Sequence, residues 1–123
     1  MGFRMLAVDD EEPILFALKE YFSAHDHEVD GARDAGEARA LLARRCYDVV
    51  IADLRLGGSD GTEGLEVLGF AREVHSKTRT ILLTAHRSPE VETEALRRGV
   101  DAVLDKPVPL AQIADMAIKV LRK

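Results

Sequence analysis

The chain has 123 residues, 46% of them hydrophobic and 32% charged, with a formal net charge of -5. That length suits one domain with a core that needs no disulfide staples. The acidic balance argues against a nucleic-acid surface, where affinity begins with Lys and Arg neutralising phosphates, and no apolar run reaches the length of a membrane span.

Strand and helix patterns alternate from end to end without a Ser/Pro linker or a repeat, so residues 1–123 read as a single α/β domain. The first strand is Arg4 to Val8, and it begins so early that no secretory leader is expected. Gly2 is not a myristoylation signal, because Leu6 stands where that motif needs Ser or Thr. A helix starts near Glu12, with Pro13 in its first turn and Ile14, Leu15, Leu18, Tyr21 and Phe22 at helical spacing. A short strand around Val29 to Ala32 follows. Asp34-Ala35-Gly36-Glu37 has the form of a capping box, and the helix after it turns Ala38, Leu41 and Leu42 inward.

Tyr47 to Ala52 contains the run Val49-Val50-Ile51, which suits a strand buried on both faces. Beyond Asp53, Gly57-Gly58-Ser59-Asp60-Gly61 breaks regular structure. The third helix begins near Gly64 and presents Leu65, Leu68, Ala71 and, at its end, Val74 to the core. Thr80 to Leu83 is the fourth strand. Ser88-Pro89-Glu90 supplies a cap, a proline and an acid at a helix start, and that helix runs to Arg98 before Gly99. Ala102 to Leu104 is the fifth strand, and Pro109 to about Leu121 the last helix, with Leu110, Ile113, Ala114, Ala117 and Leu121 on one side. The basic pairs Arg44–Arg45 and Arg97–Arg98 fall in last helical turns, where cations complement the helix dipole. The lone Cys46 fits a reducing cytoplasm.

Four of the five strand ends finish in side chains suited to phosphoryl chemistry: Asp9 and Asp10, Asp53, Thr84, and Lys106 followed by Pro107. Ligands of open α/β sheets bind at the carboxyl ends of the strands, and in the order 2-1-3-4-5 the first and third strands are neighbours at the switch point. Asp9, Asp10 and Asp53 would then share one pocket. Carboxylates so close need protonation or a cation, and an all-oxygen set suits Mg²⁺ or Mn²⁺ better than zinc. Taken singly, each residue has an ordinary reading: Asp9-Asp10 as a helix cap, Asp53 as a turn residue, Thr84 as a satisfied hydroxyl, Lys106 as a solvated charge. The combination at four strand ends is what points to a site.

Val8-Asp9-Asp10-Glu11, Asp53-Leu54-Arg55-Leu56, Leu83-Thr84-Ala85 and Lys106-Pro107, in this order and spacing, resemble the receiver domain of two-component response regulators over essentially the whole chain. The resemblance implies a flavodoxin-like doubly wound (βα)5 sandwich and a phosphorylation-dependent switch. Asp53 would be the phosphoacceptor, and Asp10, Asp53 and the main-chain carbonyl of Arg55 would hold Mg²⁺, with Asp9 acting mainly through water. Lys106 would pair with the carboxylate and then with a phosphoryl oxygen, Thr84 would bond the phosphoryl group, and the Lys106–Pro107 peptide would be cis. The donor would be a sensor histidine kinase or a phosphotransfer protein. Such a domain catalyses only its own phosphorylation and slow self-dephosphorylation. Output would pass to a downstream protein, through the surface of the fourth helix, fifth strand and fifth helix, or to an effector domain elsewhere in a longer chain. Dimerisation on phosphorylation is a further family habit.

Three positions depart from the family pattern. Val103 occupies the place of a switch aromatic, so the relay is expected to run through main-chain shifts in place of a rotating ring. Val108 stands where Phe is common, and Gly57 stands in place of a proline in a loop about three residues longer than usual. Shortening that loop is expected to alter the lifetime of an acyl phosphate. Arg55 and His86, each two residues beyond a site residue, are candidates for tuning the attack of water and are otherwise solvated rim residues. His25 and His27 are spaced as a metal pair, but with no third ligand in view they read as part of a surface loop. Rival functions on related chemistry are a flavin binder, an aspartyl phosphatase of the haloacid dehalogenase type, and an interaction module that is never phosphorylated. Asp9-Asp10-Glu11-Glu12 opposes a flavin phosphate at the first helix, and there is no Asp-x-Asp or cap insertion for the phosphatase.

Overall fold

The computed structural model describes residues 2–56 and 61–122. The elements in chain order are β1 (Arg4–Val8), α1 (Glu12–Ser23), β2 (Glu28–Ala32), α2 (Ala35–Arg44), β3 (Val49–Asp53), α3 (Glu63–Val74), β4 (Arg79–Thr84), α4 (Pro89–Arg97), β5 (Ala102–Asp105) and α5 (Leu110–Leu121). All strand pairs are parallel, and the sheet order is β2-β1-β3-β4-β5. This is the expected doubly wound, flavodoxin-like order, and it sets β1 directly beside β3, with Val8 in register with Ala52.

Two cores, one on each face of the sheet, account for the apolar runs. Leu6, Val8, Val50, Ala52 and Leu82 pack on one side with Ala38 and Leu42 of α2, Leu65 and Leu68 of α3, and Ala95 of α4. The alternate strand residues Met5, Ala7, Val49, Ile51, Ile81 and Leu83 pack on the other side with Leu15, Leu18 and Phe22 of α1 and Ile113, Ala117 and Val120 of α5. The central strands therefore carry near-continuous apolar runs, because both of their faces are covered by helices. Burying each Leu, Phe or Met in these layers contributes about 1.5–3 kcal/mol.

The helix ends follow local chemistry. The Asp34 side chain accepts a hydrogen bond from the Glu37 N–H at 2.8 Å. Glu37 reaches back to the Arg33 N–H, so the box closes one residue before the cap. Ser88 accepts from the Val91 N–H at 3.2 Å and starts α4. Gly99 takes a φ of 75° after α4, a region where a side chain is strained.

Several boundaries and burials differ from expectation. β3 starts at Val49 and not Tyr47, although Tyr47 remains buried in the core, with its hydroxyl donating to Asp30. Val74 is exposed, since the last turn of α3 runs past the edge of its core, and Val120, unassigned in the sequence, is buried. Arg45 caps α2 and also reaches Asp30 at 2.7 Å, so it ties α2 to β2 as well as facing a helix end. His27 is not a free loop residue: its ring stacks on Phe3 at 3.8 Å, and its Nδ1 accepts the Phe3 N–H at 3.1 Å. His25 Nδ1 instead bonds the Tyr21 carbonyl. No described helix is long and apolar enough to cross a membrane.

Candidate functional site

The register of the sheet brings the strand ends to one pole. Asp53 is the last residue of β3 and pairs with Leu83, one residue before Thr84 at the end of β4. Thr84 in turn pairs with Asp105, and Lys106 follows it. Asp9 continues β1, and its N–H is still bonded to the Ala32 carbonyl of β2 at 3.0 Å. Side chains from β1, β3 and β5 thus converge through backbone placement alone.

Lys106 links them. Its Nζ lies 3.3 Å from Asp53 Oδ2, 3.5 Å from Asp9 Oδ2 and 3.5 Å from Glu11 Oε2. Carboxylate oxygens of Asp9, Asp10, Glu11 and Asp53 all lie within 4.8 Å of one another. Asp9 is buried, Asp53 is half-buried, and Asp10 and Glu11 are exposed at the mouth. Asp9 and Asp10 do not cap α1, for Glu11 holds that position, and Asp9 Oδ1 accepts the Glu11 N–H at 2.9 Å.

Burial sets the electrostatics. It pushes the Asp9 and Asp53 carboxyls above their ordinary values, against the pull of Lys106, and neighbouring carboxylates add to the rise. For Lys106 burial works the other way, but attraction to Asp9 and Asp53 outweighs it and the ammonium is held above its usual value. The pole therefore carries more negative charge than one ammonium offsets. Its donors are all oxygen, within reach of one small ion, and this is the chemistry that hard divalent cations select.

Thr84 is buried, and its hydroxyl accepts the His86 N–H at 3.0 Å. The Thr84 carbonyl accepts the Lys106 N–H at 2.9 Å, which fixes the start of the β5–α5 loop. Lys106–Pro107 is cis, as the resemblance implied. Arg55 and His86 are both exposed. Val103 is half-buried on the core shared by α2, α3 and α4. The glycine-rich stretch Gly57 to Asp60, on which the longer-loop expectation rests, lies outside the described residues.

A model of the response regulator receiver domain family matches residues 5–118. This chain belongs to that family. Receiver domains are the signalling modules of two-component systems, and the fold above is theirs. The chain is similar to the response regulator protein PilR of Pseudomonas aeruginosa, 33% identical over 97% of this chain and 26% of the relative. It is also similar to the alginate biosynthesis transcriptional regulatory protein AlgB of the same organism, 34% identical over 96% of this chain and 26% of the relative. The CheY-like receiver domain protein of Methanospirillum hungatei superposes with a TM-score of 0.90 at 28% identity, covering 99% of this chain and 95% of that one. The chain thus spans about a quarter of the length of the curated relatives named here.

Three residues of the site region were not assigned from sequence. Glu11 read as part of a motif and a helix start, yet its carboxylate reaches Lys106. Gly64 read only as a helix start. A Cβ there would stand 2.0 Å from the Asp53 carbonyl oxygen, so the glycine lets α3 press against the backbone that holds Asp53. Arg87 carried no motif, and its contacts with β5 depend on tertiary structure.

Proposed function

We propose that this chain, as one domain over residues 1–123, is a signalling switch that accepts a phosphoryl group on Asp53. The observation that supports this best is the position of Lys106 Nζ, 3.3 Å from Asp53 and 3.5 Å from Asp9, at the end of the switch-point strands. An ammonium there steadies the Asp53 carboxylate before transfer and would meet a phosphoryl oxygen afterwards.

The donor on this reading is a phosphohistidine of a sensor histidine kinase or a phosphotransfer protein. A carboxylate oxygen of Asp53 forms the new bond to phosphorus. The phosphorus–nitrogen bond breaks, and its electron pair returns to the imidazole, which takes up a proton. Asp10, Asp53 and the Arg55 carbonyl, with Asp9 through water, would hold Mg²⁺ or Mn²⁺. The bound ion would offset charge on the transferring oxygens. Thr84 would bond the phosphoryl group, which brings about -1.5 to -2 charge units and strong acceptors. Water would later cleave the acyl phosphate, so the chain would turn over nothing beyond its own modification, and Arg55 and His86, both exposed, would tune that attack. The altered surface would be read by a protein target, an effector domain or a second copy, in the cytoplasm, with no direct nucleic-acid or membrane contact.

Treatment with a small acyl phosphate and Mg²⁺ tests the reading by intact mass. One added phosphoryl group, lost in Asp53→Ala and on chelation, is the expected result. An unmodified chain, or a label that survives Asp53→Ala, would make it an interaction module that is never phosphorylated.

A further inference from the structure

Val103 stands where the family pattern carries an aromatic residue, and its carbonyl is held by a residue from another loop. Arg87 lies in the β4–α4 loop, three residues after Thr84. Its guanidinium donates to the Val103 carbonyl at 2.5 Å, pairs with Asp105 at 3.2 Å and reaches Glu92 of α4 at 3.7 Å. One side chain thus ties the β4–α4 loop to β5 and to α4. The other end of the connection is Thr84, whose hydroxyl accepts the N–H of His86, the residue next to Arg87.

We propose that Arg87 is a latch on the resting state, a positioning residue through which Thr84 governs β5 and α4. The proposal rests on the phosphoacceptor reading of Asp53. A hydroxyl rotated towards a group on Asp53 withdraws its oxygen from the His86 N–H. The backbone of residues 85–87 then loses its anchor, and the Arg87 contacts with Val103 and Asp105 no longer fit. On this proposal those contacts hold in the resting state only, which is the condition for biasing a two-state equilibrium. Val103 is too small to transmit the change by swinging, but its carbonyl, on the edge strand of the sheet, can register the loss of a charged donor. The ion pairs are partly exposed, so the latch is weak and its removal shifts populations modestly.

The test uses the whole chain with Mg²⁺ and beryllofluoride, a mimic of the phosphoryl group, followed by amide NMR shifts. In Arg87→Ala the unloaded spectrum should move residues 102–105 and α4 along the line towards their loaded wild-type positions. Beryllofluoride should bind about three- to tenfold more tightly, in keeping with the loss of one or two partly exposed ion pairs. Asp105→Ala should give a smaller change in the same direction, and Arg97→Ala, which removes an α4 arginine paired with Glu94 and not with β5, should give none. Unloaded Arg87→Ala shifts that stay at wild-type positions in β5 and α4, with unchanged affinity, overturn the latch alone. A wild-type chain that does not respond to beryllofluoride overturns the assignment of Asp53, and the latch with it.

Discussion

Asp9 and Asp53 carry opposing demands. Burial raises both carboxyls, so their ionised forms are disfavoured in the fold relative to the open chain, and Lys106 offsets only part of this. A neutral isostere should therefore stabilise the metal-free fold while ending the phosphoryl acceptance proposed for Asp53. Asp53→Asn is expected to gain about 0.5–2 kcal/mol in urea unfolding without divalent ions, because a functional site carries charge that packing alone would not select. A loss of stability would mean that the attraction of Lys106 outweighs the crowding of the carboxylates. His27 gives the opposite sign of pH dependence. Burial and the nearby His25 hold its imidazole below the ordinary value of 6.5, and Nδ1 must stay unprotonated to accept the Phe3 N–H. The contribution of His27 is thus complete above that value and is lost as pH falls through the lower folded value. Urea midpoints of wild type and His27→Gln, which keeps an acceptor but cannot titrate, should differ more at pH 5 than at pH 8, with the wild type falling further. Parallel curves would remove His27 from the pH response.

At the level of elements, α3 is placed by what it lacks. Gly64 donates its N–H to the Leu54 carbonyl at 3.0 Å, and a Cβ would meet the Asp53 carbonyl oxygen at 2.0 Å and Leu54 Cα at 2.8 Å. Those neighbours are backbone, so the clash cannot be relieved by a side-chain rotation. Gly64→Ala is expected to cost more than about 2 kcal/mol and to slow phosphorylation by displacing Asp53, measured by urea unfolding and acyl-phosphate labelling together. Stability and labelling both near wild type would show that the helix can shift without moving the site. This constraint illustrates where the sequence stopped being legible. Strands were readable because a sheet covered on both faces demands runs such as Val49-Val50-Ile51, and helix starts were readable from Asp34 and Ser88, whose caps act within three residues. The polar cluster at the strand ends could be assembled because parallel topology carries Asp9, Asp53 and Lys106 to one pole once the strand order is known. Gly64, Glu11 and Arg87 were hidden because their meaning lies in contacts between elements. Val74 misled for a related reason: periodicity says which residues share a face, but not where the facing layer ends.

For the molecule as a whole, the sheet gathers uncompensated charge at one end while two apolar layers hold the fold together. With a net charge of -5, the rest of the chain does nothing to relieve that pole. Anything that binds the folded pole and not the open chain must then raise stability by mass action. The carboxylate oxygens come within 4.8 Å only when β1 and β3 are paired, so a divalent cation finds this donor set in the folded state alone. Magnesium at about ten times its dissociation constant should add about 1.4 kcal/mol, a rise of roughly 5 °C in Tm for a chain of this size. The rise should continue with the logarithm of the magnesium concentration, disappear on chelation, and be abolished in Asp10→Ala, while Glu28→Ala, at the opposite end of the sheet, should retain it. Calorimetry separates this from general screening, because sodium chloride at matched ionic strength weakens repulsion without a saturable site and should move the midpoint far less. Equal shifts from both salts, or a full magnesium response in Asp10→Ala, would mean that the cluster is relieved by diffuse counterions and holds no ion of its own.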